Sequence, residues 1–219
     1  MKIMLINGSP RKQCNTSQLL KAFEEGILSA APGAEIKTVH LYDFLYTGCK
    51  SCFACQMTVN RAHLGCRIQD SIHDLLEETR QADGVAFGSP VYFLDQSAQL
   101  KAFLERLLYP GKADHVIPSA FLYAMNAGPQ HIKPFHIDTI LGAAESYIEG
   151  CFGEKPEIVY AYDTFQYNDR PNLTEEFRSM VERKRERQKE QFPVDLEQAH
   201  QAGIRLAGRI RENSGEPLA

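Results

Sequence analysis

Five short apolar runs, residues 2–7, 35–40, 84–89, 120–125 and 157–161, alternate with segments whose apolar residues recur at helical spacing. The helical segments show Leu19, Leu20, Phe23 and Ile27; then Ile72, Leu75, Leu76 and Thr79; then Leu100, Phe103, Leu104, Leu107 and Leu108; then Ile137, Ile140, Leu141, Ala144 and Ile148. A strand followed by a helix, repeated, can close only as parallel strands joined by right-handed crossovers. The first run is mostly apolar, as expected of a strand covered on both faces. The alternation therefore predicts an α/β, doubly wound parallel sheet. A length of 219 residues with 43% hydrophobic content is enough for one such core, and no internal repeat or low-complexity linker divides it. We expect residues 1–219 to form a single domain.

In an open parallel sheet, ligands bind outside the carboxyl ends of the strands. The loop after the first run, Gly8-Ser9-Pro10-Arg11-Lys12-Gln13-Cys14-Asn15-Thr16, is rich in hydroxyl and amide residues and opens a helix, with Asn15 or Thr16 as the expected N-cap. Such a helix N-terminus is an anion site. It carries neither the Walker A spacing nor Gly-x-Gly-x-x-Gly, which disfavours a Rossmann dinucleotide site. The loop after the third run, Gly88-Ser89-Pro90-Val91-Tyr92-Phe93, offers flat apolar surface at Tyr92 and Phe93, and backbone N–H groups at Val91, Tyr92 and Phe93. It suits the polar edge of a flat ring. Asn126-Ala127-Gly128-Pro129 is the matching loop after the fourth run. Together the three suit a mononucleotide; read one by one, they are also ordinary capped turns.

The net charge of -4 gives no reason to expect nucleic-acid or anionic-membrane binding. Met1–Asn7 is too short an apolar run for a signal segment, and no run approaches bilayer length, so a cytoplasmic protein is expected. Late in the chain, Glu182-Arg183-Lys184-Arg185-Glu186-Arg187 reads as a solvated helix face. Phe192-Pro193 is expected to break that segment, with Pro193 opening a last helix that carries Leu196, Ala199, Ile204 and Leu206. This tail, from about residue 170 to 219, is expected to cover the fold or clasp a second subunit. Tyr162, Phe165 and Tyr167 read as core packing or as part of a substrate face; His131 and His136 read as surface or packing residues.

From Leu41 to Gln69 periodicity is lost, over a stretch too long for a simple connection. It holds Cys49, Cys52, Cys55 and Cys66, four of the six cysteines. In a cytosolic chain this spacing points to metal, redox chemistry or a compact thiol loop rather than disulfides. Asp70-Ser71, with Ser71-x-x-Asp74, reads as the cap of the next helix.

Taken in order, Gly8-Ser9-Pro10-Arg11…Asn15-Thr16, Gly48-Cys49-x-x-Cys52-x-x-Cys55…Gly65-Cys66 and Ala82-Asp83-Gly84…Gly88-Ser89-Pro90-Val91-Tyr92-Phe93 resemble the NAD(P)H-dependent FMN reductases, nearest the branch related to iron–sulfur flavoproteins. The resemblance covers about the first 125 residues well and the tail more loosely. It implies a flavodoxin-like, five-stranded parallel sheet of order 2-1-3-4-5 with a C-terminal helical extension. It implies bound FMN, with Ser9, Arg11, Asn15, Thr16 and Ser17 at the phosphate, Pro90, Val91, Tyr92 and Phe93 at the isoalloxazine, and Asn126 and Gly128 beside it. It further implies a homodimer or homotetramer with NAD(P)H as co-substrate. Reducing equivalents would pass by ping-pong hydride transfer to a small-molecule electron acceptor: a quinone, a nitro or azo compound, or free flavin. No side-chain acid or base is required. The alternative is an electron carrier holding a [4Fe–4S] cluster on Cys49, Cys52, Cys55 and Cys66. Cys66 follows Cys55 by eleven residues, later than the usual motif. Zinc at the same thiols or a metal-free, reduced thiol loop are the other readings, and the last is the one expected. A scaffold that has lost flavin is disfavoured by the intact loops.

Overall fold

The computed structural model describes residues 1–57, 65–166 and 174–215. Its strands are β1 (Lys2–Asn7), β2 (Glu35–His40), β3 (Gly84–Tyr92), a short β4 (Asp95–Gln96), β5 (Ser119–Ala124) and β6 (Glu157–Ala161). The α-helices are α1 (Asn15–Ala30), α2 (His73–Arg80), α3 (Ala98–Leu108), α4 (Ile137–Phe152) and α5 (Glu175–Ser214). The parallel strands lie in the order β2-β1-β3-β5-β6, which is the expected 2-1-3-4-5 arrangement once the added β4 is set aside. Tyr167, expected in an aromatic group, lies outside the described residues. No helix among the described residues is long and apolar enough to cross a membrane.

Alternation along the strands divides the core between two faces. Met4, Ile6, Val85, Phe87, Phe121 and Tyr123 pack against α2, α3 and α4. Ile3, Leu5, Ala86, Ala120, Leu122 and Ala161 pack against α1 and α5. An aromatic ladder continues across the first face: Tyr123 stacks on Tyr160 at 5.5 Å, and Tyr160 on Tyr162 at 5.4 Å. Tyr162 thus belongs to the packing, whereas Phe165 has Arg185 over its ring at 5.4 Å.

The C-terminal segment departs from expectation. It is one helix of 40 residues, with Pro193 inside it. A proline in a helix interior deletes one backbone hydrogen bond, which would have used the carbonyl of Lys189. Pro193 and Lys189 are both exposed, so water can take that carbonyl, while buried Phe192 and Asp195 hold the helix on either side. Tertiary packing therefore carries the helix through its breaker.

Helices α1 and α5 run in the same direction, because both return across the sheet after a parallel strand. Asn15 meets Gln188 at one end of the contact, and the Ala30 carbonyl meets Arg211 at the other. Between them the helices touch backbone to backbone. A Cβ on Gly26 would lie 2.0 Å from the His200 carbonyl oxygen, and one on Gly203 would lie 2.1 Å from that of Phe23. Gly208, on the same helix, has nothing within 4 Å of such a Cβ. Gly203→Ala should therefore destabilise the fold by about 1–3 kcal/mol, the usual cost of forced overpacking. Gly208→Ala should be stabilising by about 0.5–1 kcal/mol through helix propensity. Thermal unfolding of the two variants checks this; equal Tm values would remove the close-contact argument.

Candidate functional site

The carboxyl ends of the strands are stitched to one another. Gly8 N–H donates to the Gly88 carbonyl at 2.8 Å, and Ser97 Oγ donates to the Gly8 carbonyl at 2.6 Å. Ser89 Oγ in turn accepts from Ser97 N–H at 2.9 Å. A Cβ on Gly8 would sit 2.9 Å from both Leu100 Cβ and Ser97 Oγ, so this junction needs glycine. On the far side, Met125 N–H reaches the Ala161 carbonyl at 3.0 Å and Asp163 N–H reaches that of Ala127 at 2.9 Å. The loops after β1, β3, β5 and β6 thus form one continuous rim.

At the β1 end of the rim, α1 begins without a side-chain cap. The N-cap is Cys14, not Asn15 or Thr16, and its side chain makes no capping bond; the first turn holds no acidic residue. Asn15 is drawn away by long-range partners: its Nδ2 donates to the Phe165 carbonyl at 2.9 Å, and its Oδ1 accepts from Gln188 Nε2 at 3.2 Å. Ser9 Oγ accepts from Arg11 N–H at 3.2 Å, and Ser17 Oγ accepts from Asn7 Nδ2 at 2.9 Å. Arg11 Nη1 donates to the Gln166 carbonyl at 2.9 Å. The hydroxyl residues Ser9 and Thr16 are only 3% and 2% exposed. An uncapped helix N-terminus leaves its first N–H groups and its dipole for an outside anion. This end therefore fits the phosphate of FMN, through Ser9, Thr16 and the helix backbone. Arg11 lies in the same loop, and Asn15 and Ser17 in the first turn of α1; all three are engaged by the chain, and Ser9 Oγ also donates to the Arg11 carbonyl at 3.3 Å.

The second loop is not the open loop that its sequence suggests. Pro90 continues β3 opposite Ala124, and Val91 and Tyr92 pair antiparallel with Gln96 and Asp95. Their backbone groups are thus shared with a second strand. The connecting residues Phe93 and Leu94 have φ of 49° and 72°. This is a two-residue hairpin turn with left-handed backbone at both positions, a place that normally takes Asn or Gly. Phe93 is fully exposed there.

Beside the hairpin opens a cleft of 680 Å³. Four predicted residues line it: Val91, Phe93, Asn126 and Gly128; Pro90 and Tyr92 do not. Its apolar walls include Leu94, Met125, Phe135 and Met180, and His131 lies at its edge against Phe135. The volume and the apolar walls, with Asn126, Gln130, His131, Asp163, Arg183 and Lys184 as polar members, fit a flat heterocycle that carries polar edges.

Sequence reasoning missed the wall contributed by α5. Its residues Met180, Arg183 and Lys184 line the cleft. Lys184, expected on a solvated face, is 5% exposed; its Nζ donates to the Asn126 carbonyl at 2.9 Å and pairs with Asp163. Arg187 pairs with the same carboxylate at 3.1 Å. Asp163 itself has a left-handed φ of 54°. A charge run carries no local signal that one of its members is buried.

The cysteine segment forms a second site. Cys49, Cys52, Cys55 and Cys66 line one small cavity of 10 Å³, and all six cysteines are free. Among the described residues, no set of three or more ligating side chains is arranged around a single ion. Burial, reinforced by the other three thiols, pushes the Cys55 thiol up. Buried Arg106 holds the segment: its Nε donates to Cys66 Sγ at 3.4 Å, and Nη2 donates to the Ile68 carbonyl at 3.1 Å and to Asp70 Oδ1 at 3.0 Å. Asp70 Oδ1 also accepts from the N–H of Ile72, the N-cap residue of α2, at 3.3 Å, but the first turn lacks the expected side-chain cap, and Ser71 Oγ donates to the Leu45 carbonyl at 2.7 Å. Burial would raise the Asp70 carboxyl, but the Arg106 guanidinium, joined by the Ile72 N–H, outweighs it and holds it below its ordinary value.

Residues 1–132 match the family of NADPH-dependent FMN reductases. Curated relatives include an iron–sulfur flavoprotein of Methanocaldococcus jannaschii, 36% identical over 106 residues, which are 48% of this chain and 51% of that protein. Another, from Methanosarcina thermophila, is 32% identical over 128 residues, 58% of this chain and 63% of that protein. The chain spans about half the length of the first of these relatives. Among solved structures, an NAD(P)H:quinone oxidoreductase from Methanothermobacter marburgensis superposes with a TM-score of 0.62 at 18% identity, covering 94% of this chain and 96% of that one. An azoreductase from Bacillus anthracis gives 0.62 at 17%, covering 94% and 99%. Identities this low speak for the fold alone, which is flavodoxin-like. The match across residues 1–132, joined to a rim that fits the cofactor, makes this chain a member of the NADPH-dependent FMN reductase family.

Proposed function

We propose that this protein is an FMN-dependent NAD(P)H oxidoreductase that passes reducing equivalents to a small-molecule acceptor such as a quinone, a nitro or azo compound, or free flavin. The observation that carries the reading is the continuous rim: an uncapped helix N-terminus at one end and, at the other, a cleft with both apolar walls and polar groups that is large enough for a ring. FMN bound there supplies the redox chemistry. The chain's own part is to hold the phosphate through Ser9, Thr16 and the start of α1, and to seat the ring between Val91, Asn126 and Gly128. Hydride transfer then needs orientation and one open face, not a side-chain nucleophile. An open cleft that serves donor and acceptor in turn implies ping-pong kinetics. The names of the structural neighbours support quinone and azo acceptors. Exposed Phe93, Phe135 and Tyr147 support burial against a second copy, as a homodimer or homotetramer. We place the protein in the cytoplasm and treat its residues as one FMN-binding domain.

A second reading has its own observation: four thiols around one cavity, with Ser51 N–H donating to Cys49 Sγ at 3.4 Å and Arg106 to Cys66 Sγ. Donors to sulfur suit cluster thiolates. The curated relatives named as iron–sulfur flavoproteins support it too. Cys49, Cys52, Cys55 and Cys66 would then hold a [4Fe–4S] cluster, and the protein would exchange electrons with a protein partner.

Three measurements test these readings. Thr16→Val keeps the methyl near Gly88 and removes the hydroxyl; losing one hydrogen bond to a charged group costs about 1.5–3 kcal/mol. FMN should then bind roughly tenfold to a hundredfold more weakly. Riboflavin should bind the native protein more weakly by at least as much, and equal affinity for riboflavin and FMN would remove the phosphate assignment. Stopped-flow mixing of the FMN-loaded protein with NADPH and NADH under anaerobic conditions should bleach the oxidised band at least as fast as turnover. Bleaching by dithionite but by neither nicotinamide would turn the assignment to the electron carrier. Iron and sulfide in anaerobically purified protein should be absent under the first reading; a fixed ratio to protein that Cys52→Ser abolishes would establish the second.

A further inference from the structure

The flavin cleft has an uneven charge balance. Among the described residues that line it, Asp163 is the one carboxylate, against two cations, Arg183 and Lys184. Arg187 adds a third cation from behind, on the same Asp163 carboxylate. Lys184 is the buried member, fixed between the Asn126 carbonyl and Asp163. An ammonium has three donors, and these two partners use two of them. Asn126 belongs to the loop that seats the ring. A fixed charge in a buried, poorly hydrated setting acts more strongly than one in water.

Reduction by hydride brings two electrons and one proton to the flavin ring and leaves it with one additional negative charge. The nicotinamide is oxidised and supplies all three. Groups placed in advance where charge develops stabilise it without reorganising. Lys184 is fixed before any ligand arrives, by contacts that do not involve one. It also stands outside residues 1–132, so the family match does not account for it.

We infer that Lys184, backed by Arg187, tunes the flavin: its fixed positive charge makes the cleft bind the reduced, anionic ring more tightly than the oxidised one. The inference rests on FMN binding in this cleft, and Lys184 acts as a positioning and tuning residue rather than a catalytic one.

The test is the two-electron midpoint potential of FMN-loaded protein, measured by anaerobic dye-linked reduction for the native chain and for Lys184→Met, Lys184→Arg and Asp163→Asn. Asn keeps the left-handed backbone of Asp163 accessible. Lys184→Met should lose about tenfold of the preference for reduced over oxidised FMN, a fall of roughly 30 mV. Lys184→Arg should restore the native value, and Asp163→Asn should shift the potential upward. Lys184→Met and Asp163→Asn break the same ion pair. A purely structural role would move both potentials the same way, whereas charge moves them in opposite directions. Shifts of the same sign, or no shift in either variant, would overturn the inference. If Lys184→Met fails to retain FMN, a potential in Asp163→Asn at or below the native value overturns it alone. Native protein that does not bind FMN would instead sink the functional reading beneath it.

Discussion

Helices α1 and α5 meet through a glycine on each, Gly26 against the His200 backbone and Gly203 against the Phe23 backbone, and the rest of the site depends on that approach. Backbone contact this close fixes how far α5 can slide or lean along α1. With Gln188 held level with Asn15, the thirteen residues before it extend about 20 Å past the start of α1 at the usual rise per residue. That overhang becomes the outer wall of the cleft. A bulkier contact would lift the wall, and Lys184 would lose Asn126 and Asp163 together.

Strain and charge collect where this wall faces the rim. Phe93, Leu94 and Asp163 all have left-handed backbone, at roughly 1–2 kcal/mol for each non-glycine residue. Strain of this kind persists only where surrounding contacts over-determine it, and it gathers at ligand sites. Here the β3–β4 pairing holds the first two, and the Lys184 and Arg187 ion pairs hold the third. The two ends of the rim share an electrostatic bias. The α1 N-terminus favours an anion at one end, and the buried ammonium favours one at the other.

The cysteine segment follows a different logic. Among the described residues between 41 and 69, only the short 3-10 turns Leu41–Asp43 and Ala54–Gln56 are regular, so no apolar period develops; Arg106 ties Thr47, Cys66 and Ile68 together instead. A guanidinium presents five donors in a rigid fork, and here it reaches a thiol, backbone carbonyls and a carboxylate at once. Its burial within α3 explains why Asp70 serves as an ion-pair partner.

The sequence alone determined the alternation of strand and helix, and through the crossover rule the parallel sheet and the edge where ligands bind. Those follow from local period and chain connectivity. Turn chemistry at strand ends, which is local, together with the family resemblance also pointed to Ser9, Thr16, Val91, Phe93, Asn126 and Gly128, of which the last four line the cleft. Only the tertiary structure decided the rest. Pro90 became strand because it lies opposite Ala124, and Val91 and Tyr92 because Asp95–Gln96 folds back on them. Pro193 stayed within a helix because Phe192 and Asp195 are buried around it. Asn15 left its capping role for Phe165 and Gln188, and Lys184 left solvent for Asn126, which precedes it by 58 residues. Each is a contact between residues far apart in the chain. The energy of such a contact depends on burial and partner geometry, neither of which a local pattern encodes.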